Sequence, residues 1–124
     1  MRTKAVILSC ATLLAAAPAA EAHHSRAMFE IGRAVELTGT VRQFQWTNPH
    51  CYIQLVVTGA DGTEQEWSLE MGAPMHLQGR GWGPRTVKAG DRIRVTIFPL
   101  RNGRPGGELQ AATTLGGRPL GKVS

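Results

Sequence analysis

Val35-Glu36-Leu37-Thr38-Gly39-Thr40-Val41-Arg42-Gln43-Phe44-Gln45-Trp46 carries its small and apolar residues at odd positions as far as Val41, then at even positions from Phe44. Alternation with a period of two marks a half-buried strand. The change of phase within it predicts a β-bulge near Arg42-Gln43, where an extra residue bends the strand. A long, bent first strand is what a small closed barrel needs. Asn48-Pro49 then ends the strand, because proline donates no ladder hydrogen bond and holds the preceding residue extended.

Outward from there the strand pattern repeats. A second strand is predicted over residues 50–58, closed by the turn Gly59-Ala60-Asp61-Gly62. The third, over residues 64–71, sets Gln65, Trp67, Leu69 and Met71 against Glu64, Glu66, Ser68 and Glu70, so one face is acidic and solvated. Pro74 at a first helical position and Gly79 as a stop predict one short helix over residues 75–78. Trp82 follows it and is placed to plug one end of the core. After the turn at Gly90-Asp91, Ile93, Val95 and Ile97 alternate with Arg92, Arg94 and Thr96 in a fourth strand. The basic loop Arg101-Asn102-Gly103-Arg104-Pro105-Gly106-Gly107 leads to a fifth, with Leu109, Ala111, Thr113 and Leu115 on one face. The reading is an all-β chain with one short helix, β-β-β-α-β-β, which fits a five-stranded OB-like barrel. A small β-sandwich is the alternative, though it wants about seven strands.

The barrel domain takes residues 34–116. Arg2 and Lys4 precede a run rich in Ala, Leu and Val, and Ala20-Glu21-Ala22 is an A-x-A cleavage pattern. Residues 1–22 therefore read as a secretory signal peptide, too short for a membrane anchor, and no transmembrane segment is expected. The mature chain would begin at His23, periplasmic or secreted. Ala17-Pro18-Ala19 is a competing cut, and Ile7-Leu8-Ser9-Cys10 has too little apolar chain before it for a lipoprotein box. Residues 23–33 form an N-terminal arm, either a helical turn started by Ser25 or an extended piece pinned by Phe29. Residues 117–124 read as a flexible tail.

The chain has 14 Lys and Arg against 9 Asp and Glu. In an exported protein that excess does not point to nucleic acid. It admits anionic lipid, glycan or an acidic envelope partner, beside the plain reading of a well-solvated surface. Cys10 leaves with the signal, so Cys51 stands alone. An internal disulfide is excluded, and the apolar neighbours of Cys51 predict a buried thiol.

Ala22-His23-His24-Ser25, Leu37-Thr38-Gly39-Thr40-Val41 running into Trp46-Thr47-Asn48-Pro49-His50, Trp67-Ser68-Leu69-Glu70-Met71-Gly72, Gly81-Trp82, Gly90-Asp91, and Pro99-Leu100-Arg101-Asn102-Gly103 through Gly106-Gly107 together resemble a family of small exported proteobacterial proteins with no assigned function. The likeness covers nearly the whole mature chain. It implies that His23, His24 and His50 are shared features, whereas Cys51 and His76 depart from the family pattern. It implies no activity.

A cut after Ala22 would give His23 two nitrogens for one ion, its α-amine and its imidazole Nδ1. A third from His50 or His24 would complete a T-shaped set that suits Cu(II), which prefers tetragonal geometry. Such an arrangement resembles the histidine brace of copper proteins; zinc is the other metal considered. On the plainer reading no metal is held: the paired histidines are polar residues beside the cut, and His50 is a turn residue donating to a backbone carbonyl. The copper set, His23, His24 and His50, belongs to a handler or sensor rather than an enzyme. The alternative is a non-metal OB-type module. In it Trp46, Asn48, His50 and Tyr52, with Arg92, Arg94, Arg101 and Arg104, grip an anionic ligand or an envelope protein. The sequence holds no nucleophile elbow, HExxH motif or phosphate loop, so no enzyme is expected, and an oxidative copper enzyme is only a distant third reading. Glu66 and Glu70 lie about 13 Å apart by the strand rise, too far for a catalytic carboxylate pair.

Overall fold

The computed structural model describes residues 26–124, so the signal-peptide reading and the candidate ligands His23 and His24 lie outside the described residues. Five strands and a helix follow in the expected order: β1 Val35–Gln45, β2 Tyr52–Thr58, β3 Glu64–Glu70, α1 Pro74–Gln78, β4 Arg92–Pro99 and β5 Gly106–Thr114. They close a barrel in the order β1-β2-β3-β5-β4. All neighbours are antiparallel except β3 and β5, which join in parallel through Ser68, Leu69 and Glu70 against Gly106, Gly107 and Glu108. The chain is an OB-type barrel, nearly all-β with one short helix.

β1 is the strand on which closure depends. Its first part, residues 35–40, pairs with β4, and Thr40 to its end pairs with β2. The predicted bulge is present as a register shift between Val41 and Gln43. Val41 points into the core, and beyond the bulge Phe44 packs against it. At the crossover sits Gly39, where β2 comes so close that a Cβ would overlap the carbonyl oxygen of Val56 and stand 2.9 Å from Leu55 Cγ.

The interior is filled by the inward residues of the strands: Ile53, Leu55, Leu69, Ile97 and Leu109 are wholly buried, with Val41 and Val95 beside them. α1 starts on Pro74 and contributes Leu77 to the same core. Trp82 plugs one end as expected, with its ring centroid 6.0 Å from that of Phe44. Cys51 is buried and free, and burial pushes its thiol above the ordinary range. Among the described residues no helix is long and apolar enough to cross a membrane.

Three expectations are corrected in detail. The inward face of β5 is Leu109 and Ala112, with Ala111 exposed. A register shift opposite Thr96 and Ile97 adds a residue at Gln110 and reverses the phase. The tail is docked: Leu120 N–H donates to Ala112 O, Lys122 N–H to Arg80 O, and the Trp82 indole N–H to Lys122 O at 3.0 Å. Leu120 and Val123 pack on the core, which gives these residues an apolar reason to stay. The outer face of β3 is not uniformly solvated. Glu66 is exposed and pairs with Arg42, but the Glu70 side chain is only 19 % exposed. In the arm, Ser25, the predicted start of a helical turn, lies outside the described residues, and Phe29 pins the chain. A turn closes from Phe29 N–H to Arg26 O, and Phe29 is buried and bridges to Leu100.

Candidate functional site

His50 stands at the end of the loop between β1 and β2, and that loop is tied down on both sides. The Thr47 hydroxyl donates to His50 O at 2.7 Å. Cys51 N–H donates to Gly72 O, and Met71 N–H to Cys51 O. The segment is thereby fixed against the chain leaving β3. In consequence His50 Nδ1 lies 2.9 Å from Met71 O and 3.1 Å from Glu70 Oε1. A carbonyl oxygen only accepts, so Nδ1 carries the proton, and in the neutral ring the lone pair is on Nε2. A carbonyl or carboxylate on one ring nitrogen is the arrangement that orients a metal-binding imidazole through the other. The side chain is 39 % exposed, open enough to meet a ligand.

Around it runs a cleft of about 310 Å3, whose walls include Arg26, His50, Glu70, Glu108 and Gln110. Parallel pairing of β3 with β5 sets Glu70 in register with Glu108. The two carboxylates are treated differently. Burial raises Glu70 above the ordinary carboxylate range, the His50 ring opposes this and Glu108 adds to it. Burial would raise Glu108 too, but hydrogen bonds from Arg26 and Gln110 and the charge of Arg26 outweigh it, so Glu108 is held below that range. Arg26 grips Glu108 in two-pronged fashion, Nη2 to Oε1 at 2.7 Å and Nε to Oε2 at 2.9 Å. Tyr52 is the antiparallel partner of Glu70, and burial followed by that charge keeps its phenol above the ordinary range.

A pH effect follows from Glu70. A carboxyl whose folded pKa is raised binds its proton more tightly folded than unfolded. Its ionisation therefore costs stability above the unfolded value, and the cost is relieved as pH falls through the folded one. Wild type should thus gain stability relative to Glu70→Gln as pH is lowered from neutral toward the carboxylate range. Urea midpoints of both proteins at several pH values test this; parallel curves would mean that the carboxyl is not desolvated.

The predicted site residues do not all meet. Trp46 packs edge-on to Phe44, with centroids 5.8 Å apart, and is half-buried against the core. Asn48 is exposed and joined to Pro49 by a cis peptide. Arg92 and Arg94 sit on β4 opposite Thr40 and Thr38, separated along β1 from Trp46, and Arg94 lies 3.5 Å from Glu36. In the loop between β4 and β5, Arg101 Nε donates to Ala27 O at 3.0 Å, and Arg104 is exposed. Arg26, Glu108 and Gln110 were missed by sequence reasoning. Nothing local marks them, since the Arg26–Glu108 pair spans 82 positions and Glu108 reaches Glu70 only through the parallel seam. Among the described residues no three His, Cys, Asp or Glu side chains gather as a metal site.

No curated protein and no solved structure matches the chain. A family model does, over residues 11–110, and the chain belongs to that family, DUF6152, a family of unknown function.

Proposed function

We propose that this is a small exported binding protein that holds copper through the mature N-terminal histidine and His50. The observation that carries the reading is the place of His50 in the cleft that Arg26 lines, at the foot of the arm; its Nδ1 contact with Met71 O, which the metal-free reading also expects, serves here with Glu70 to orient the ring. His50 Nε2 is then the atom that would meet a metal. Position 23 is three residues along the chain from Arg26, a span of up to about 10 Å when extended. His23 would supply its α-amine and Nδ1, and His24 a further imidazole. Nitrogen donors in that number suit Cu(II) ahead of other divalent ions. A bound copper would supply an ion able to change oxidation state. The protein's own part is to fix one imidazole by its far nitrogen and to root the arm through Arg26 and Glu108. The role we assign to such a site is that of a handler or sensor rather than an enzyme.

The mature N-terminus is first read by mass spectrometry, and Cu(II) is then titrated into that protein. One added N-terminal residue should weaken binding at least a hundredfold, because it removes the chelate ring of amine and imidazole. His50→Ala should cost roughly tenfold, in line with loss of one oriented ligand. Equal binding with and without the extension, or no binding at all, would sink the reading.

A further inference from the structure

We propose that a second cleft, at the base of β4, binds a phosphate-bearing anion. Its volume is about 330 Å3, and its polar lining is Thr86, Lys88, Asp91, Arg92, Thr114 and Arg118. Two tight turns build it. In one, Asp91 N–H donates to Lys88 O while the Asp91 carboxylate accepts Lys88 N–H at 3.0 Å. In the other, Gly117 N–H donates to Thr114 O and Thr114 N–H to Arg118 O, with Gly117 at φ 91° completing the reversal. The docked tail holds that second turn through Leu120 N–H to Ala112 O and the bridge of Pro119 to Thr113. The cations are thus carried on backbone already fixed.

Charge and hydrogen bonding favour an oxyanion. Lys88 Nζ lies 3.1 Å from Asp91 Oδ1, which satisfies the one acid of the cleft. Arg92 and Arg118 form no ion pair with a carboxylate among the described residues, so the cleft keeps an excess of positive charge. Both threonine hydroxyls are primed as donors: Thr86 Oγ1 accepts Gly83 N–H at 2.8 Å, and Thr114 Oγ1 accepts Arg118 N–H at 3.2 Å. Each oxygen is engaged as an acceptor, which leaves its own proton to give. Two guanidiniums and two hydroxyls match the several acceptor oxygens of a phosphoryl group, which arginine grips in bidentate fashion. The floor is apolar, formed by the buried Val87 and Ile93. The ligand class is therefore a phosphate-bearing anion, recognised through its phosphoryl oxygens. A lipid headgroup and a free phosphate compound share this chemistry.

The test uses the mature protein in buffer of fixed ionic strength. Inorganic phosphate is titrated while backbone amide NMR shifts are followed, and sedimentation with phosphatidylcholine vesicles, with and without phosphatidic acid, gives the second arm. Shifts concentrated at Thr86, Lys88 and Arg118 are expected. Arg92→Gln with Arg118→Gln should weaken binding roughly tenfold or more, whereas Arg94→Gln, on the same strand beside Glu36, should leave it unchanged. Vesicle binding that needs phosphatidic acid and is lost in the double variant assigns the lipid source; phosphate shifts without vesicle binding assign the free compound. Shifts spread over all the arginines, equal loss in Arg94→Gln, or no response in either arm would overturn the proposal. None of these outcomes depends on copper.

Discussion

Gly39→Ala should lower the melting temperature by roughly 15 °C or more, and Gly39→Val should leave the barrel unfolded at room temperature. An added Cβ would overlap Val56 O and press on Leu55, which is wholly buried. Relief by moving β1 is blocked on both sides. Gly39 is in register with Ile93 of β4, and its neighbour Thr40 is in register with both Val56 of β2 and Arg92 of β4. Overpacking of a well-packed core costs about 1–3 kcal/mol, occasionally more. Here backbone rather than a side-chain tip is struck, so about 3 kcal/mol is a floor for alanine. A branched side chain would consume most of the 5–15 kcal/mol that a domain of this size commands. Gly83→Ala is the control, since the nearest atom its Cβ would meet is Thr86 Oγ1 at 4.0 Å. Thermal melts by near-ultraviolet circular dichroism read both variants. A Gly39→Ala protein that melts with wild type would refute the close approach of β1 and β2.

Trp82→Ala is the second large effect, about 3–5 kcal/mol for an aromatic removed from a packed core. Trp82 is 3 % exposed, and it serves two structures at once. Its ring closes the barrel end against Phe44, and its N–H holds Lys122 O. Removing it should loosen the tail, leaving Leu120 N–H to Ala112 O, Lys122 N–H to Arg80 O and Arg80 Nη1 to Val123 O as its remaining ties. Hydrogen exchange should then show early loss of protection at the Leu120 and Lys122 amides, ahead of the strand amides of Ile53 and Leu69. Trp82→Phe keeps most of the apolar volume and should cost far less, near the 1 kcal/mol of a single hydrogen bond beyond the smaller ring. Tail amides that remain as protected as the barrel in Trp82→Ala would show that the tail is held independently.

The barrel was legible in the sequence where its signals are local. The phase change before Phe44 gave away the bulge, Pro74 the helix start, and Trp82 the plug, because each depends on residues within a few positions. Features that depend on distant pairings or ambiguous residues were not legible. The bulge at Gln110 hides among Gln, Ala and Thr, small or polar residues that fit either face, so Ala111 and Ala112 could not be told apart. The parallel seam joins strands separated by a helix and β4, and no turn sequence announces it. Glu70 therefore read as one acid on a wet face, although the seam sets it beside Glu108 and the loop sets it beside His50. For the site, sequence singled out His50 from its loop, but its hydrogen bond to Met71 O arises from a pairing of Cys51 with residues beyond β3. The arginines read as one rim are divided by the register of β1 with β4.

Arg26 and Val123 line the same cleft as His50. This bears on how the protein is made in the laboratory. A polyhistidine affinity handle attached next to either segment would bring foreign imidazoles near that cleft, and one placed before His23 would also mask the amine on which the proposed copper site rests. Metal affinities measured on such material would report the handle. A cleavable fusion that leaves His23 first, with no handle beside Ser124, is the form in which the proposed copper site should be tested.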